Sequence, residues 1–131
     1  MTEIKVPVSP GELLDKITIL RIKSQRMSDP AKLSNVRLEL RSLEDTWNGS
    51  SYANINIDAD VAALLKVNER LWVIEDDIRD KERAQAFDEE FIRLARAVYV
   101  ENDERAAIKR RINTKLGSSI VEEKSYREYK T

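Results

Sequence analysis

Three observations predict an all-α fold. Gly and Pro each occur only three times in 131 residues, so long stretches run without a helix breaker. Apolar residues recur at three- and four-residue spacings along several segments. Helix start signals, Ser9-Pro10-Gly11-Glu12 and Asp29-Pro30, stand at the heads of two of them. The expected architecture is a single domain, residues 1–131. It is an antiparallel bundle of four main helices plus a short C-terminal helix, with two short segments, 3–8 and 53–57, reading as β-strands.

In chain order, Ile4, Val6 and Val8 alternate with Glu3, Lys5 and Pro7, which is the two-residue period of a strand. Pro7 lacks an N–H and confines it to an edge. Ser9 then caps a first helix with Pro10 at its first position and Glu12 completing a capping box. That helix runs to about Met27. Asp29-Pro30 opens a second helix whose seam is Leu33, Val36, Leu40, Leu43 and Trp47, and Asn48-Gly49 stops it. Residues 50–57 are loop-like. Within them Ala53, Ile55 and Ile57 alternate with Asn54 and Asn56, a candidate strand to pair with 3–8 in the same chain or in a partner chain. Asp58 is the expected cap of a third helix reaching about Ala84, with Leu64, Val67, Leu71, Ile74 and Ile78 as its seam. A fourth helix runs from near Phe87 to Leu116, where Gly117 ends it, and Asn102-Asp103 offers an internal break. Ser119 and Glu122 form a further capping box ahead of the short terminal helix, which carries Tyr126 and Tyr129.

Composition narrows the chemistry. With no Cys, the chain has no disulfide, thiol nucleophile or zinc ribbon. With no His, it has no imidazole base and no His-ligated metal or haem. No cofactor is implied. The 23 basic and 24 acidic side chains leave a net charge of −1, which argues against nucleic-acid and anionic-membrane partners. No N-terminal stretch reads as a signal peptide, and no run reaches the ~18–20 apolar residues of a membrane helix. The expectation is a cytoplasmic protein with neither nucleic acid nor membrane as partner.

Several polar residues fall on apolar helix faces when each helix is drawn as a wheel of ~100° per residue. Arg21 lies close to the first helix's face of Leu13, Ile17 and Leu20. Asn68 and Glu75 fall between the third helix's seam and a flank formed by Leu65 and Trp72, with Arg79 at that flank. On the fourth helix, the face of Phe87, Phe91, Leu94 and Val98 continues as Asn102, Arg105, Lys109 and Asn113. One reading is structural: interior Asn and paired charges fix register in a bundle, and long cationic side chains lie along apolar surface. The other is a pocket for a small anion, carboxylate or phosphate, between helices 1, 3 and 4, built from Arg21, Asn68, Glu75, Arg79, Asn102, Arg105, Lys109 and Asn113. A further alternative is a divalent-metal site. Asp77 with Asp80, and Glu101 with Glu104, place acids one helical turn apart, loosely resembling all-helical, magnesium-dependent nucleotide pyrophosphatases. The competing reading of those pairs is a solvated helix face, so no metal is assigned.

Four blocks stand out together: Ser9 to Leu20 (SPGELLDKITIL), Val67 to Trp72 (VNERLW) with Ile74 to Ile78 (IEDDI), Asn102 to Lys109 (NDERAAIK), and Glu122 to Tyr126 (EEKSY). In these blocks the chain resembles a family of small, mainly helical bacterial proteins catalogued only as a domain of unknown function. The resemblance covers nearly the whole chain. It implies a compact helical protein and carries over no activity and no functional residue.

The leading functional expectation is therefore a non-enzymatic helical interaction module that self-associates as a homodimer, because its wide apolar arcs exceed what one small bundle buries. Exposed Val73 and Trp72 would mark the contact.

Overall fold

The computed structural model describes residues 3–130, which form four α-helices: α1 (Pro10–Arg26), α2 (Pro30–Asn48), α3 (Asp58–Arg83) and α4 (Glu89–Lys115). α1 starts where Ser9 Oγ accepts the Glu12 N–H at 3.2 Å and Pro10 occupies the first turn. The box is only half made, because the Glu12 carboxylate turns away to bind Lys109 Nζ. Asp29 caps α2 by accepting the N–H groups of Ala31 and Lys32, and Gly49 ends it. Asp88 caps α4 by accepting the Phe91 N–H. Gly117, just past the end of α4, has φ +65°, a left-handed conformation that glycine adopts without steric cost.

α1 is the hub. It packs against each of the other helices, whereas α2 has α1 as its only helical neighbour. Asp15 and Thr18 of α1 meet Asn68 of α3, while Gly11 of α1 meets Asn113 of α4. α1 and α3 thus run parallel, and α4 runs antiparallel to both. The core is built from Leu14 and Ile17 of α1, Leu64 and Val67 of α3, and Ile108 and Ile112 of α4, each at most 3% exposed. Burying a side chain of this kind contributes about 1.5–3 kcal/mol. Leu40, Leu43 and Trp47 bring the α2 seam against this cluster from outside and stay partly exposed.

At 26 and 27 residues, α3 and α4 are much longer than the 17-residue α1. They span about 39–40 Å against about 26 Å. Beyond the reach of α1 they continue as a two-helix arm. Between Trp72 and Ala107, Leu94 is the single buried side chain.

Four sequence expectations are corrected. Residues 3–8 are extended, but no strand forms among the described residues. A strand needs a ladder partner, and segment 53–57 has folded into turns instead, with Ala53 N–H donating to Ser50 O and Ile55 N–H to Tyr52 O. Asp58 is not the cap of α3. Ile57 holds that position without a side-chain bond, and Asn56 Oδ1 accepts the Asp58 N–H instead. α4 does not break at Asn102, where the side chain lines a groove rather than capping a new turn. No terminal helix forms either. Residues 119–130 lie non-helical along α4, because Glu122, the would-be capping partner, spends its carboxylate on Lys109 and Ser9. Arg110–Glu123 and Lys124–Asp103 ion pairs and an edge-to-face Tyr99–Tyr129 contact continue the seam between this segment and α4.

Candidate functional site

The eight residues of the sequence-predicted anion pocket do not form one site. They separate into three places. Arg21 reaches α2, where its guanidinium meets Glu44 at 3.0 Å. Lys109 and Asn113 belong to a knot at the base of α1. Asn68, Glu75, Arg79, Asn102 and Arg105 line a single groove of about 450 Å³.

The knot is a set of satisfied contacts. Lys109 Nζ lies 2.6 Å from Glu12 and 3.0 Å from Glu122, and 4.0 Å from Asp15. Burial works against the charge of Lys109. Its bonds to Glu12 and Glu122, with Asp15 nearby, outweigh that cost and hold its pKa above the ordinary lysine value. Glu12 is likewise opposed by burial, and its Lys109 partner holds its pKa below the usual glutamate value. Asn113 Oδ1 accepts the Gly11 N–H at 2.7 Å. Gly11 is required there, because a Cβ would stand 2.7 Å from Lys109 O.

The groove differs. It lies where α1 ends and the arm begins, with Ile19, Ile22, Leu71 and Trp72 as its apolar lining. Arg79 faces Glu75 across one turn of α3 at 3.3 Å, an exposed pair. Arg105 is half-buried, and no carboxylate among the described residues lies within ion-pair distance of it. Asn68 is 4% exposed, and its orientation is forced. Thr18 Oγ1 spends its proton on Asp15 O at 2.8 Å, and the Asp15 carboxylate only accepts, so Asn68 must present Nδ2 to both, at 2.9 and 3.0 Å. Asn68 Oδ1 has no donor among the described residues and is not sealed off, and Asn68 is one of the residues that line the groove.

Asp15 and Thr18 carry the groove's supporting bonds and were missed in the sequence. Their signal is present: Gly11, Asp15, Thr18 and Ile22 follow at spacings of four, three and four, a stripe that is buried along its whole length. A third missed residue, Asp60, is buried near the start of α3 and receives Arg111 at 2.8 Å and Lys115 at 2.6 Å from α4.

The carboxylates of the metal reading do not assemble. Among the described residues no three acidic side chains gather closely enough to hold a metal ion, and Glu101 is taken by Arg70 at 2.9 Å. Among the same residues no helix is long and apolar enough to cross a membrane.

Fold and contacts together define a small all-α bundle with an extended two-helix arm. The chain belongs to a family of unknown function, DUF6165, whose model matches residues 4–130. No curated protein and no solved structure matches it.

Proposed function

We propose that the protein is a non-enzymatic assembly module that works as a homodimer joined through the α3–α4 arm. The observation that carries this reading is the incomplete core of the arm, where Leu94 alone is buried over residues 72–107. Two helices cannot enclose an apolar core without a third layer, and a second copy of the same arm supplies one. One arm face suits that contact. Val73, Ile74 and Ala97 line a shallow groove of about 560 Å³, with Val73 outward at 44% exposure. Val100, also 44% exposed, follows Ala97 at a three-residue spacing on the same stripe. The Arg70–Glu101 and Arg93–Glu90 ion pairs stand beside the apolar strip, an arrangement of apolar centre and charged rim. Trp72 is excluded from this contact, because it is half-buried in the opposite groove.

The test is mass by light scattering at micromolar concentration. Twice the chain mass is expected for the full chain. A single chain mass is expected for Val73→Arg and for Ala97→Arg, with helical circular dichroism unchanged. A monomeric wild-type protein overturns the reading.

A further inference from the structure

We infer that the groove at the root of the arm binds a small carboxylic acid that carries an apolar body and a hydrogen-bond donor beside the carboxylate, the chemistry shared by apolar α-hydroxy and α-amino acids. The inference is independent of the dimer, since the groove and the proposed contact lie on opposite sides of α3.

Each part of the ligand answers one feature of the groove. Arg105 supplies the charge. It is half-buried and lacks a carboxylate partner among the described residues, and a guanidinium receives a planar carboxylate through two parallel bonds. Arg79 already faces Glu75, and the exposed Asp76 also lines the groove, so Arg105, as its one cation without a carboxylate partner among the described residues, suits a monoanion better than a phosphate dianion. Asn68 Oδ1 supplies an acceptor whose direction is fixed by the bonds of Nδ2 to Asp15 and Thr18, so it selects a ligand N–H or O–H. Trp72, Ile19 and Ile22 supply the apolar wall. A volume of about 450 Å³ lies in the ordinary range for small-molecule sites, about 300–1,000 Å³. Asn68 sits on a rigid support: its partners come from α1, and it is itself on α3, so the acceptor is positioned before any ligand arrives.

The chain has two tryptophans, Trp47 and Trp72. Full-length Trp47→Phe therefore leaves Trp72 as the only indole reporter. This protein is titrated with 2-hydroxy-4-methylpentanoate, leucine, 4-methylpentanoate and leucinamide. A saturable change in Trp72 emission is expected for the hydroxy acid or for leucine, and whichever responds identifies the donor. 4-Methylpentanoate, which lacks the donor, is expected to bind at least fivefold more weakly, and leucinamide, which lacks the carboxylate, not to saturate. Arg105→Gln is expected to weaken binding at least tenfold with helical content intact, and Asn102→Ala provides a second groove variant that leaves the core untouched. No saturation with either acid, equal binding of leucinamide, equal binding of 4-methylpentanoate, or an undiminished response in Arg105→Gln each overturns the proposal.

Discussion

The Asp15 carboxylate on α1 accepts a 2.9 Å hydrogen bond from the amide nitrogen of Asn68 on α3, with both residues at most 5% exposed. The bond joins the two parallel helices at mid-height. A buried carboxylate that loses a partner keeps its full desolvation cost. Asn68→Leu is therefore expected to lower stability by about 1–3 kcal/mol in urea titration. Replacing both partners, as Asp15→Leu with Asn68→Leu, is expected to cost less than the sum of the two single changes. A strictly additive double mutant would deny the coupling.

Gly11→Ala tests the close approach of α1 and α4. The new Cβ would meet Lys109 O at 2.7 Å and Asn113 Oδ1 at 2.9 Å, and the first of these is backbone that cannot rotate away. The helices must separate, and a loss of about 1–3 kcal/mol is expected. Gly49→Ala meets nothing nearer than 3.4 Å and serves as the control, with a change within about 0.5 kcal/mol. Equal effects at the two glycines would contradict the packing described.

Asp60 gives the chain an acid-sensitive contact. Its hydrogen bonds to Lys115 and Arg111 hold its pKa below the ordinary aspartate value of 3.8. A carboxylate whose folded pKa is depressed stabilises the fold above its unfolded pKa. That contribution is lost as pH falls through the folded value. Asp60→Asn is expected to be less stable than wild type at neutral pH, with the gap closing below about pH 4 as wild type loses the same charge. Denaturation midpoints from pH 7 to pH 2 measure this, and a gap that stays constant through the acid range would refute it.

The segment after α4 is held mostly by exposed charge. The Arg110–Glu123 and Lys124–Asp103 pairs are solvent-facing and so weak and salt-sensitive. Lys124→Glu, or high salt on the wild type, is expected to speed protease cleavage between residues 119 and 130. Global stability is expected to change by less than about 1 kcal/mol. A protease pattern indifferent to both would mean that the Glu122 contacts with Lys109 and Ser9 and the Tyr99–Tyr129 contact hold the segment without the exposed pairs.

How much of this was legible in the sequence depended on whether a feature was local. The caps at Ser9 and Asp29 and the stop at Gly49 act through neighbouring backbone, and each operates where the sequence places it. The 3-4 seams name the core of α3 correctly at Leu64, Val67 and Leu71. What failed depended on distant partners. Glu122 reads locally as a helix-capping residue, yet a lysine thirteen positions earlier claims it. Lys109 and Arg105 share a wheel face one turn apart, but α1 presents Glu12 and Asp15 to the first and the apolar Ile19 and Ile22 to the groove that the second lines. One is consequently neutralised within the knot while the other lines an open groove. What separates them is the set of side chains that α1 and the segment after α4 bring opposite each position, and no wheel of a single helix contains that information.

The bond between Gly11 and Asn113 joins residues 102 positions apart, whereas α3 and α4 are joined by a short turn. This difference orders the folding reaction. The α3–α4 hairpin closes over a small loop and is favoured as the nucleus, while the α1–α4 junction must wait for the chain to close over most of its length. Damage at Gly11 therefore falls on the late side of the barrier. Gly11→Ala is expected to accelerate unfolding while leaving the refolding rate nearly unchanged, and the opposite partition is expected for Ile112→Val in the hairpin. The base of α1 would then act as the latch that sets how long the native state persists once the rest of the bundle has formed.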